Sequence, residues 1–114
     1  MRIALVDDCP NDLSIMHQFL AEALDTDSVI TEFHNGEDFL QHWSADTFDL
    51  IVLDIYMEQL TGIEIARVIR ETDPNVCLVF ATTSNEFASE SYEVNACYYL
   101  CKPFLKQQVL AMLD

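Results

Sequence analysis

Short apolar runs alternate with amphipathic stretches five times along this chain, and the alternation predicts the fold. Arg2 to Val6 is a mostly apolar run without helical spacing, followed by Asp7-Asp8-Cys9-Pro10, where proline suits the first turn of a helix. From Leu13 the apolar positions Met16, Leu20, Ala23 and Leu24 recur at threes and fours, giving one helical face that can pack on a sheet, and Asp25 to Ser28 ends the helix. Ser28 to Phe33 reads as a second strand and Gly36 to Trp43 as a short helix. Asp49 to Ile55 is a nearly all-apolar third strand, buried on both faces and therefore central and parallel. Thr61-Gly62-Ile63-Glu64 has the spacing of a capping box, in which the side chain of each end residue accepts the other's backbone N–H. Ile65, Ala66 and Ile69 continue that helix to Thr72, and Asp73-Pro74-Asn75 stops it. Val76 to Ala81 is a fourth strand, Glu86 to Val94 a helix, Cys97 to Cys101 a fifth strand and Phe104 to Leu113 a last helix.

Strict β-α alternation implies an α/β, doubly wound five-stranded parallel sheet with helices on both faces, because parallel crossovers of this length need those helices. At 114 residues there is room for one core and one domain, residues 1–114, with no linker, repeat or low-complexity segment.

Composition narrows the partners. Hydrophobic residues are 51% of the chain against 22% charged, which is globular. Five Lys and Arg against 20 Asp and Glu leave a formal charge of −15, a field that repels phosphate backbones and anionic lipid, so direct nucleic-acid contact by this segment is not expected. The charge favours a divalent cation or a basic partner, or simply keeps a small protein dissolved. No apolar run reaches the roughly 20 residues that span a bilayer and no signal pattern opens the chain, so the expected compartment is the cytoplasm. Cys9, Cys77, Cys97 and Cys101 are irregularly spaced in or beside apolar runs and read as reduced core thiols.

Ligands of open parallel sheets bind beyond the carboxyl ends of the strands, so the residues that follow each strand carry the chemistry. Strand one ends in Asp7-Asp8, strand three around Asp54, strand four in Thr82-Thr83 and strand five in Lys102, while strand two offers only His34 and Asn35. Three carboxylates at one edge repel one another unless a cation lies between them, and hard oxygen ligands with room for water suit Mg²⁺. Asp8 alone would also serve as a helix N-cap, but that role leaves Asp7 and Asp54 unexplained. Three carboxylates, one Mg²⁺ and the Lys102 ammonium sum to zero, a neutral site able to accept a phosphoryl dianion. Asp54, ending the central strand, is the best nucleophile, with Asp7 and Asp8 as metal ligands and Lys102 reaching a phosphoryl oxygen. Either hydroxyl of Thr82-Thr83 can donate to the transferred group, although Thr is common at strand ends. His17, His34 and His42 do not converge.

Val6-Asp7-Asp8, Leu53-Asp54-Ile55-Tyr56-Met57 with Gly62, Thr82 and Lys102-Pro103-Phe104 together resemble the receiver domains of two-component response regulators, over the whole chain. Thr61 to Ala66, Glu86-Phe87-Ala88 and Tyr99-Leu100 further resemble the subgroup attached to LytTR-type DNA-binding domains. The resemblance implies a flavodoxin-like receiver with strand order 2-1-3-4-5. It implies Asp54 as phosphoacceptor, Mg²⁺ held by Asp7, Asp8, Asp54 and the Tyr56 backbone carbonyl, Thr82 sensing and Lys102 contacting the phosphoryl group, and Tyr99 as an aromatic switch residue. It implies a histidine kinase as partner and a C-terminal DNA-binding domain in a longer regulator, with a homodimer formed through the fourth helix, fifth strand and fifth helix. Such a domain is not an enzyme beyond assisting its own phosphotransfer and dephosphorylation. From the residues alone, Tyr99 and Phe87 are equally core aromatics.

Three positions depart from the family's pattern: Glu58 stands in place of Pro, Thr83 in place of Ala and Asn95 in place of Gly. Glu58 adds a negative charge near the metal edge, which either tightens a cation site or slows an anionic phosphodonor. Two enzymic or redox alternatives fit less well. A phosphohydrolase with an aspartyl nucleophile would want a carboxylate at position 56, which is Tyr, and a flavin carrier would want a Ser/Thr/Gly-rich loop after strand one, where Asp7-Asp8-Cys9-Pro10 would repel phosphate. A receiver-like adaptor that binds partners without phosphorylation is disfavoured by the intact acid triad and Lys102.

Overall fold

A computed structural model of the chain describes residues 1–57 and 59–113, so Glu58 and Asp114 lie outside the described residues. Ten elements alternate as expected: β1 (Arg2–Val6), α1 (Pro10–Ala23), β2 (Val29–Phe33), α2 (Gly36–His42), β3 (Leu50–Leu53), α3 (Gly62–Thr72), β4 (Cys77–Thr82), α4 (Ala88–Glu93), β5 (Tyr98–Cys101) and α5 (Lys106–Met112). The strands form one parallel sheet in the order β2-β1-β3-β4-β5.

Alternation of side chains along each strand splits the core in two. Ala4, Val6, Ile51, Leu53, Leu78 and Phe80 face one side, where Phe39 of α2 and Ile65, Ala66 and Ile69 of α3 cover them. Ile3, Leu5, Val52, Val79, Ala81 and Leu100 face the other, under Leu13, Met16 and Leu20 of α1 and Val109 and Met112 of α5. All four residues of β3 are buried, as the unbroken apolar run requires of a central strand.

Local signals explain most of the boundaries. Pro10 opens α1. The capping box forms, with Thr61 Oγ1 accepting from Glu64 N at 3.2 Å and Glu64 Oε1 accepting from Thr61 N at 3.1 Å. After α3 the buried Asp73 carboxylate accepts the backbone N–H groups of Asn75 and Val76, both at 3.1 Å, which turns the chain into β4.

Three elements are shorter than their apolar spans. Asp54 makes the last ladder bond, its N–H reaching the Val6 carbonyl at 2.9 Å. Beyond it the Ile55 carbonyl accepts from both Met57 and Gly62, so the buried Ile55 belongs to a turn and not to β3. Asn85 and Glu86 form a turn before α4, with Ala88 N–H donating to the Asn85 carbonyl. Helix α5 starts at Lys106 because the preceding Leu105 N–H is taken by the Gln108 side chain at 2.7 Å. The cysteines also differ from expectation. All four are free, but Cys9 and Cys77 are only partly buried and Cys97 and Cys101 are exposed, since the latter two lie on or beside the sheet's edge strand. Asn95 takes φ 54°, a left-handed conformation that Asn tolerates better than most residues, which fits it to a position where Gly is usual.

Candidate functional site

The carboxyl ends of β1, β3, β4 and β5 converge on one cluster. Asp7 and Asp54 are buried while Asp8 is exposed, and carboxylate oxygens of the three lie within 4.8 Å of one another. Asp8 does not cap α1: the N-cap position is Cys9, whose side chain makes no cap bond, and Cys9 N–H donates instead to Asp7 Oδ1 at 2.9 Å. That bond fixes the Asp7 carboxylate and leaves Asp8 turned toward solvent at the rim.

Lys102 follows β5 and its side chain is 10% exposed. Its ammonium lies 2.8 Å from Asp7 Oδ2, 2.8 Å from Asp12 Oδ2 and 3.5 Å from Asp54 Oδ2. Asp12 was not expected here. It belongs to the first turn of α1, and the neutral count of three carboxylates, one lysine and one Mg²⁺ becomes one of four carboxylates. An acid four residues after Asp8, behind a helix-starting proline, was the available signal.

These charges set the protonation. Burial, together with the facing Asp7 carboxylate, pushes Asp54 up to about 7 against the pull of Lys102. Burial opposes the Lys102 charge, but hydrogen bonds to Asp12 and Asp7 overcome it and raise the ammonium above its ordinary value. Asp12, despite partial burial, is lowered by the same lysine.

Gly62 supports this edge from behind. A Cβ at that position would stand 2.2 Å from the Asp54 carbonyl oxygen, so helix α3 can approach the acid's backbone only through glycine. At the end of β4, Thr82 is fully buried with its Oγ1 unpartnered, whereas Thr83 is exposed, which separates the two hydroxyls that the sequence left equivalent.

Two tyrosines hold the loop after Thr82. Tyr56, 42% exposed, hydrogen bonds through its hydroxyl to the Glu86 carboxylate and packs edge-on against Phe87, centroids 5.5 Å apart. The bond to Glu86 raises the Tyr56 phenol. Tyr99 lies partly buried against Phe80, at 6.2 Å, and its hydroxyl donates to the Ser84 carbonyl. Glu86 and Ser84 were not legible as partners, because their position depends on a loop turn. The three histidines stay apart: His17 pairs with Glu32 at 2.7 Å, His42 contacts the Asp38 carbonyl at 2.8 Å, and His34 lines an open recess of about 360 Å³ with Asp8, Asn35, Glu37, Met57 and Gln59.

The donor set suits a hard divalent cation: three carboxylates within reach of one another, one of them exposed so that water can complete the shell. No helix among the described residues is long and apolar enough to cross a membrane.

Comparison with known proteins gives a consistent result. The response regulator receiver domain family matches residues 3–114. A sensory transduction protein LytR from Staphylococcus epidermidis is 36% identical over 96% of the chain and 43% of its own length, and a LytT from Bacillus anthracis is 29% identical over 84% and 39%. The chain thus spans less than half the length of these curated relatives. They fall with the LytTR-linked subgroup that the Thr61–Ala66, Glu86–Ala88 and Tyr99–Phe104 stretches resemble. Among solved structures, the BeF3-activated DrrB receiver domain superposes with TM-score 0.85 at 32% identity, covering 98% of this chain and 92% of that one. The response regulatory domain of mrkE from Klebsiella pneumoniae gives TM-score 0.86 at 27% identity, covering 99% and 92%.

Proposed function

The chain belongs to the response regulator receiver domain family, and on that premise we propose that it is a phosphorylation-dependent switch that accepts a phosphoryl group on Asp54 from a partner histidine kinase. The observation that carries this reading is the Lys102 ammonium within 2.8 Å of Asp7 and 3.5 Å of Asp54, together with a buried Thr82 hydroxyl without a partner at the end of β4. A positive charge and an unused donor, at the carboxyl ends of β5 and β4 on the same sheet edge as Asp54, are what an incoming phosphoryl group needs.

Asp7, Asp8 and Asp54, with the Tyr56 backbone carbonyl, would hold Mg²⁺. When bound, the ion supplies neutralising charge to the equatorial phosphoryl oxygens and favours the ionised form of Asp54. An Asp54 oxygen forms the bond to phosphorus as the donor's N–P bond breaks, with the imidazole leaving as the neutral base once protonated. Lys102 neutralises a phosphoryl oxygen, and the Thr82 hydroxyl donates to another. The recess beside Asp8 and His34 is the open side from which a donor approaches.

Drawing Thr82 toward the new oxygens changes the volume behind it, and Tyr99, tethered to Ser84 in the same loop, repacks. A coupling of about 1–3 kcal/mol suffices to alter an output surface on α4, β5 and α5. In the longer regulator this surface would relay the signal, in the cytoplasm, to a C-terminal DNA-binding domain and support a homodimer. Residues 1–114 are the receiver domain in this scheme.

Incubating the protein with Mg²⁺ and acetyl phosphate, and weighing it intact beside Asp54→Asn, tests the proposal. A single phosphoryl adduct on the wild type, lost in the variant, is expected; absence of any adduct on the wild type in Mg²⁺ overturns it.

A further inference from the structure

The Lys102 ammonium has three donors, and three carboxylate oxygens already stand around it: Asp7 and Asp12 at 2.8 Å each and Asp54 at 3.5 Å. A phosphoryl group on Asp54 brings further anionic oxygens to the same lysine, so one resting partner has to give way.

The partners differ in what losing the lysine costs. The side chains of Asp7 and Asp54 are 10% and 6% exposed, and either carboxylate, left by the ammonium, would be a buried charge short of a partner. The Asp12 side chain is 27% exposed, so water can take the lysine's place there. Asp12 also stands apart from the three acids that converge on a cation, Asp7, Asp8 and Asp54, so its charge remains with the lysine when those three hold Mg²⁺.

Nor can Asp12 follow the lysine. Its short side chain sits on the first turn of α1, next to Leu13, which is buried in the core. Lys102 swings on a flexible four-carbon stem. The chain beyond that stem is tied to the same helix, with Phe104 edge-on to Phe19 at 6.4 Å and Lys106 paired with Glu22 at 2.8 Å. The backbone therefore keeps its place against α1 while the ammonium changes partner.

We infer that Asp12 is a positioning residue that holds Lys102 toward α1 in the unphosphorylated protein and gives it up to the phosphoryl oxygens when Asp54 is modified. The inference rests on the reading of Asp54 as phosphoacceptor. No covalent bond changes in this step: the lysine exchanges one anion for another, and water solvates Asp12. Asp12 thus competes with the phosphoryl group for the lysine and opposes its uptake. An acid on the first turn of a helix also stabilises that helix through its dipole, a role that would leave the lysine unaffected.

Lys102 and Lys106 are the chain's two lysines, so protein labelled with ¹³C-lysine gives one side-chain signal for the site and one as an internal reference. Beryllofluoride, a phosphoryl mimic, is titrated in at saturating MgCl₂ and the ε-methylene signals are followed by NMR. In the wild type the mimic is expected to shift Lys102 far more than Lys106. In Asp12→Asn the resting Lys102 signal should already lie part of the way toward its loaded position, and the mimic should bind about 3- to 10-fold more tightly, the worth of one competing charge in a partly solvated setting. The double variant Asn11→Asp, Asp12→Asn keeps an acid on the first turn at an exposed position, and should behave like Asp12→Asn. Wild-type signals and affinity in Asp12→Asn, or their recovery in the double variant, overturn the inference and leave the phosphoacceptor reading standing. A wild type that takes up no beryllofluoride overturns that reading, and this inference with it.

Discussion

Lys102 lies as close to Asp12 as to Asp7, 2.8 Å in each case, so the lysine is shared between a strand-end carboxylate and one on the first turn of α1. Asp12 therefore contributes negative charge to the cation site without being among the three carboxylates that converge on it. Removing that charge in Asp12→Asn is expected to weaken Mg²⁺ binding about 3- to 10-fold, roughly 1 kcal/mol for a charge a few ångströms from the ion in a partly solvated setting. Isothermal titration with MgCl₂ measures it. An unchanged affinity would show that Asp12 only restrains the lysine.

Asp54 is raised to about 7 in the absence of metal, against an ordinary carboxylate value of 3.8. A carboxyl whose folded-state pKa is raised binds its proton more tightly when folded, so its contribution to stability is complete below about pH 4 and is lost as pH rises toward 7. Metal-free protein should lose on the order of 2 kcal/mol from this group between those limits. Urea midpoints across the range should fall in the wild type, fall much less in Asp54→Asn, and recover on adding Mg²⁺. Equal pH slopes in wild type and variant would contradict the buried-charge account.

The parallel sheet was legible because β3 is apolar on both faces and because Pro10, the Thr61–Glu64 box and Asp73 punctuate the helices with short-range chemistry. The convergence of Asp7, Asp8, Asp54, Thr82 and Lys102 followed from the same logic, since a parallel sheet delivers every strand's carboxyl end to one edge. Asp12 was missed because its partner is 90 residues away and its direction depends on where α1 begins. The tethering of Tyr56 to Glu86 and of Tyr99 to Ser84 was missed for a related reason: each depends on the turn at Asn85, and apolar spacing carries no information about a loop.

Gly62 admits no side chain. A methyl group there would meet the Asp54 carbonyl oxygen at 2.2 Å, and backbone cannot yield as a flexible side chain does. Gly62→Ala is expected to lower stability by about 2–3 kcal/mol through overpacking and to slow adduct formation by displacing Asp54. Denaturant titration beside the intact-mass assay checks both, and a variant of wild-type stability would refute the close approach.

Thr82 separates folding from signalling because its Oγ1 is buried without a partner while its methyl group packs in the core. An unpaired buried hydroxyl costs about 1–3 kcal/mol, so replacing it with the isosteric methyl of valine removes a penalty in the unphosphorylated protein. Thr82→Val is expected to be more stable than wild type by about 1 kcal/mol, yet to lose the hydrogen bond that links the phosphoryl group to the loop. Thr82→Ser keeps the hydroxyl and loses the methyl, and should reverse both effects: lower stability, retained response. Amide exchange in residues 83–87, compared with and without phosphodonor in each variant, reads the response directly. If valine and wild type show the same phosphodonor-dependent protection, Thr82 is not the donor that the buried hydroxyl makes it.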